Sequence, residues 1–237
     1  MATGDVLIMG DGKCIEGKYN KIRIVGSGEL EGNITCHKLS SAGSASAKGN
    51  IYFDELKTAG FFEIDGSLEG KTIRTAGASE IRGSIKADSC KAYGMIHLQE
   101  DVETEHFLVR GAIEGAGRIN SEKVLIQLLG ACQVEEIGAS EVEIGKKVII
   151  SDETGIRKWF NNNINMNFGD TEGSLIAKVI EGDRIYVDTA QVEVIRGEYV
   201  EIGPDCSIDK VEYTESISID KGSKVGEIIQ ITAERKG

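Results

Sequence analysis

The strings IRIVGSGELEGNI (residues 22–34), LSSAGSASAKGNI (39–51), LKTAGFFEIDGSL (56–68) and IRTAGASEIRGSI (73–85) decide how this chain folds. Each begins 17 residues after the last, and aligned on one another they keep one beat. Gly26, Gly43, Gly60, Gly77, Gly94 and Gly111 share a column, and only the next beat, Leu128, departs from glycine. Six residues further on runs a second column of Gly32, Gly49, Gly66, Gly83 and Gly117, interrupted by Glu100 and ended by Val134. Gly is 30 of 237 residues, so two such columns at a single period are not chance.

Apolar residues keep the same time. Four before each beat stand Ile22, Leu39, Leu56, Ile73, Cys90, Phe107 and Val124; eight after it stand Ile34, Ile51, Leu68, Ile85, Val102 and Ile119, with Glu136 the exception. A fixed period of this kind marks a repeat architecture, in which one unit cannot bury its own apolar face and stacks on the next. Within a unit the spacing is by twos, as in Ile22-Arg23-Ile24, which is strand alternation and not a helical stripe. Glycine at the corners accepts positive φ without steric cost. The pattern therefore predicts an all-β fold, a parallel β-helix or solenoid with a 17-residue repeat.

Composition fits a narrow aliphatic core: Pro is 1, aromatics are 5%, and the net charge is −12. That charge excludes a typical nucleic-acid surface, which needs a basic stripe, and argues against adhesion to anionic lipid. The N-terminus has no basic region and only a short apolar run, Val6 to Met9, so neither a signal peptide nor membrane insertion is expected, and a cytoplasmic location is. Cys14, Cys36, Cys90, Cys132 and Cys206 are odd in number with no close pair, which indicates neither a disulfide framework nor a zinc knuckle.

Taken in order, residues 1–18 read as an N-terminal edge strand or cap, with Gly10-Asp11-Gly12 echoing Gly26-Ser27-Gly28 one residue short of the beat. Residues 19–150 form the main block, its last turn carrying an extra residue because Val142 and Ile144 follow Val124 and Ile126 by 18. From 151 to 173 the beat stops. This insertion holds Trp159 and Phe160, a candidate partner-binding loop, although aromatics folded back on the rod are the simpler reading. Residues 174–232 form a second block, in which Ile185, Ile202 and Ile219 are spaced by 17, as are Val194, Val211 and Ile228; 233–237 read as a frayed tail.

Chemistry finds little to hold. Gly66 to Thr72 imitates a phosphate loop but has three residues between its glycines where four are required, and a strand follows. His37, His97 and His106 match no ligand spacing and fall on outward positions. The pairs Glu100-Asp101 and Glu135-Glu136 are unremarkable among 39 carboxylates. No catalytic, cofactor or metal residue is assigned.

The run from Tyr19 to Ile34, the Ala-Gly and Gly-x-Ile repeats after it, and the later Ile180 to Val187, Val194 to Pro204 and Val211 to Tyr213 resemble the bactofilins, polymer-forming bacterial cytoskeletal proteins. The resemblance implies a right-handed β-helix that assembles end to end into filaments without nucleotide or cofactor. It implies as partners a second copy, a related bactofilin, and envelope, cell-shape or motility proteins that hold the scaffold at the inner face of the membrane.

Physics supports end joining without the name. An uncapped solenoid end offers unpaired strand edges and a layer of core side chains. Three or four aliphatics per end at ~1.5 to 3 kcal/mol each come near the association cost of about 4 to 15 kcal/mol. The candidate joining residues are Val6, Leu7, Ile8, Ile22 and Ile24 at one end, and Ile217, Ile219, Val225 and Ile228 at the other. Alternatives are a left-handed β-helix acyltransferase, disfavoured by the 17-residue beat; a polysaccharide-binding β-helix, disfavoured by the few aromatics; and a monomeric adaptor using the 151–173 loop.

Overall fold

A computed structural model describes residues 4–148 and 173–232. Nine strands form one parallel sheet in sequence order: β1 (Asp5–Lys48), β2 (Ile51–Asp65), β3 (Leu68–Ile81), β4 (Ile85–Leu98), β5 (Val102–Gly145), β6 (Ser174–Val187), β7 (Ala190–Ile202), β8 (Ser207–Ile219) and β9 (Lys224–Gln230). The chain is a parallel β-solenoid of about ten coils. β1 and β5 are each 44 residues long because they bend through several corners without losing strand geometry.

The beat read from the sequence is the pairing register. Leu39 lies on Leu56, Leu56 on Ile73, Ile73 on Cys90 and Cys90 on Phe107, each 17 residues apart. Gly43, Gly60, Gly77 and Gly94 stack in the same way, and Gly60 shows why the column is glycine. Its φ is 110°, and a Cβ there would collide with the carbonyl oxygen of Gly43 in the coil before. A polar ladder holds a neighbouring corner: Asn33 Oδ1 accepts from the Asn50 N–H at 2.9 Å, and Asn50 Oδ1 from the Ser67 N–H at 2.9 Å. Such corner groups would otherwise lack partners, since the chain turns away from its own ladder there.

Residues 5–18 are a full edge coil and not a loose cap. The Asn20 N–H donates to the Gly4 carbonyl at 3.1 Å, and Gly26 sits against Gly10, which makes this first coil 16 residues long. The extra residue expected near the end of the main block is present: Lys123 pairs with Glu141 at 2.7 Å, and Gly138 stacks by Asn120, both 18 apart.

The stack does not break at the insertion. β6 lies directly on the end of β5, Cys132 on Leu175 and Ile144 on Val187, so the two stretches form one continuous core. Asp188 secures this junction. Its buried carboxylate accepts from the Lys146 N–H at 2.9 Å, the Tyr186 hydroxyl at 3.1 Å and the Thr189 hydroxyl at 3.1 Å.

Beyond the junction the period departs from the sequence reading. Ile185 lies on Val200 and Val187 on Ile202, a step of 15, so Ile202 does not stack on Ile185. Val194 lies on Lys210, not on Val211, and an irregularity between Gly197 and Tyr199 brings the step to 17. Only then do Ile202 on Ile219 and Val211 on Ile228 restore the spacing. Asp188 and Thr189 turn the corner between β6 and β7, with Thr189 at φ 52°. Across the steps of 15 and 16 the buried residues still stack on buried ones, as Ile180, Ile195 and Val211 do.

Candidate functional site

The ends of the solenoid are unlike one another. At the N-terminal end the inward residues of the edge coil are nearly enclosed: Ile8 keeps 6% of its surface and Cys14 is buried. Val6 packs against the core beside them. The Tyr19 ring lies back over Gly17, its hydroxyl donating to the Ile15 carbonyl at 2.7 Å, and helps close the mouth. Bonding to Cys14, together with burial, raises the Tyr19 pKa. Leu7 points outward at 60% exposure, onto the side of the rod.

Ile22 and Ile24 are fully buried one coil further in, beneath residues 5–18. They are core residues and not part of the free edge. The 17-residue period places them at the end, because the edge coil is one residue short of the beat.

Among the described residues, the core is open at the C-terminal end. Val211 is wholly buried, yet Ile228, its stacking partner in the last coil, is 48% exposed. Ile217, Ile219 and Val225 are partly buried around it. Ile231 is 44% exposed, tied back by its N–H to the Tyr213 carbonyl at 2.8 Å. Sequence reasoning passed over Ile231, although it continues the alternation from Ile229. Among the described residues nothing pairs with the outer edge of β9.

The last coil is nonetheless well tied to the one before. The Ser223 hydroxyl donates to the Gly203 carbonyl at 2.6 Å and accepts from the Cys206 N–H at 2.9 Å. The Asp220 side chain accepts from the Gly222 N–H at 2.8 Å and fixes the turn into β9. The open end is thus a defined surface with a fixed register.

The groups with catalytic potential are dispersed. His37 is exposed and bonded to Asp54 at 2.6 Å, His97 lies 3.7 Å from Glu114, and His106 is exposed. Burial pushes the Cys36 and Cys90 thiols up to about 12 and Cys132 to about 11, so none is a thiolate near neutral pH. Among the described residues no three His, Cys, Asp or Glu side chains gather as metal ligands. No described helix is long and apolar enough to cross a membrane. Trp159 and Phe160, the candidate partner loop, lie outside the described residues.

Two curated proteins of Bacillus subtilis strain 168 are similar to the chain. Uncharacterized protein YhbF is 31% identical over 112 residues, which cover 47% of this chain and 40% of YhbF. Uncharacterized protein YhbE is 29% identical over 111 residues, covering 46% of this chain and 41% of YhbE. The match thus spans about two fifths of either relative's length. No family model matches the chain, and no solved structure matches it.

Proposed function

We propose that this protein is a non-enzymatic scaffold of the bactofilin kind, which joins end to end into filaments without nucleotide and supports envelope, cell-shape or motility machinery from the cytoplasm. The observation that carries the reading is the open C-terminal coil. It presents the unpaired edge of β9 together with Ile228 and Ile231 at 48% and 44% exposure, over a core sealed one coil below. An edge that holds its register and exposes aliphatic side chains is a template for another strand. The repeat texture that resembles the bactofilins supports the same reading, as does the dispersal of the histidines and the burial of the thiols.

The N-terminal mouth is largely closed by its own side chains, so the C-terminal end contributes most of the apolar area to a joint. Negative-stain microscopy of Ile228→Asp beside Leu7→Asp tests this. Loss of filaments in the first and their survival in the second is the expected result. Equal loss in both would remove the C-terminal coil from its place in the joint.

A further inference from the structure

Charge is not evenly spread over this acidic chain. One face of the solenoid presents two outward side chains per coil, stacked in rows from end to end. Its N-terminal rows carry Lys21, Arg23, Lys38, Lys57, Arg74 and Lys91 against one carboxylate, Glu55. Lys38 pairs with Glu55 at 2.6 Å and Arg74 at 3.4 Å, while Lys21, Arg23 and Lys91 have no ion pair among the described residues.

The middle rows are mixed: exposed His106 beside half-buried Leu108, then Lys123 beside Leu125, with Lys123 paired to Glu141 at 2.7 Å. Beyond them the face turns acidic. Glu141, Glu143 and Glu201, with Arg184, line a shallow groove of about 750 Å³ beside Tyr199, which is 45% exposed and lies 5.8 Å beneath the Arg184 guanidinium. Burial, with a hydrogen bond and like charge from Glu141, raises the Glu143 pKa against the pull of Lys123.

The row of His106 and Leu108 lies midway. As many rows separate it from Lys21 and Arg23 as separate it from Ser216 and Ser218. A two-fold axis along this row therefore sets Arg74 opposite Glu143 and Glu55 opposite Arg184, with Lys38 opposite Tyr199 and diagonal to Glu201, Lys91 opposite Leu125, and leucines at the centre. About ten rows at ~4.8 Å and a strand about 16 Å wide give roughly 750 Å² per partner. That is close to the ~800 Å² a specific interface buries on each side.

We infer that two copies of this chain pair side by side and antiparallel through this face, the basic N-terminal rows of each on the acidic C-terminal rows of the other. The contact is isologous and closes at two molecules, so it is distinct from end joining, which does not close. Opposite charge fixes the antiparallel orientation, because parallel pairing would set the basic rows on one another.

The test uses the full-length protein. Leu108→Cys treated with a short bis-maleimide should give a covalent dimer, and Tyr52→Cys, exposed on another face, should not. Arg74→Glu and Glu143→Arg should each weaken self-association in low salt by about tenfold or more, and the double variant should return to within about threefold of wild type. Absence of rescue in the double variant, or equal cross-linking of the two cysteine variants, overturns the pairing. So does a wild-type monomer that binds phosphatidylserine vesicles through Arg74 and not Glu143, which would assign the basic rows to an anionic membrane.

Discussion

The backbone N–H of Lys146 donates to Oδ1 of Asp188 at 2.9 Å, across 42 residues of sequence. This bond joins the last coil of β5 to the coil of β6 that stacks on it. Gly145 allows it, since a Cβ at that position would strike the carboxylate. Asp188 is only 2% exposed, and its three donors offset the cost of burying it.

Asp188→Ala would strand the Lys146 N–H and leave two hydroxyls to find water. The expected loss is about 2 to 3 kcal/mol, read as a lower denaturation midpoint. Asp188→Asn, which still offers an acceptor, should lose about half as much. An unchanged midpoint in the alanine variant would show that the junction is held elsewhere.

The glycine columns make a sharper comparison. Gly60 combines φ of 110° with a backbone contact that admits no Cβ, so Gly60→Ala should cost more than about 2 kcal/mol. Gly138 has no positive φ and nothing nearer than 3.8 Å to a built Cβ. Gly138→Ala should be neutral or stabilising by about 0.4 to 1 kcal/mol, through the unfolded chain. Thermal melts of the two variants side by side decide the matter.

The 17-residue coil was legible because glycine and aliphatic columns obey one steric demand, repeated at every corner from Gly26 to Gly111. The C-terminal coils were not, because Ile, Val and Leu recur at alternate positions there. A step of 15 sets Val200 on Ile185 as comfortably as 17 would have set Ile202. The corner at Asp188 and Thr189 leaves no apolar signal. The exposure of Ile228 and the closure around Ile8 were equally hidden, since an end is defined by what fails to cover it.

Acid should act in two opposed ways. Burial works against the charge of Glu55, but Lys38 and Lys57 outweigh it and hold its carboxyl below the usual range; Arg118 does the same for Asp101. Those contributions are present above the unfolded carboxylate pKa, about 4, and are lost as pH falls through the depressed folded values. Glu143 is raised, so its ionisation at neutral pH costs stability, and protonation relieves that cost as pH falls through its folded value. Glu143→Gln should therefore gain a few tenths of a kcal/mol at pH 7 after solvent screening, about 1 °C in Tm. The gain should vanish in acid, and melts from pH 7 to 3 would contradict this if it persisted there.

All five thiols are buried and free. Native protein should therefore resist a thiol-directed reagent at pH 8 and become reactive only in denaturant. Rapid labelling of Cys14, in the edge coil, would mean that residues 5–18 open locally before the rest.

Sedimentation of purified full-length protein in nucleotide-free buffer tests self-assembly through the β9 coil most directly. The expected result is a sharp rise in pelletable material with concentration, accompanied by filaments that Ile228→Asp abolishes. A species no larger than a dimer at every concentration would contradict it.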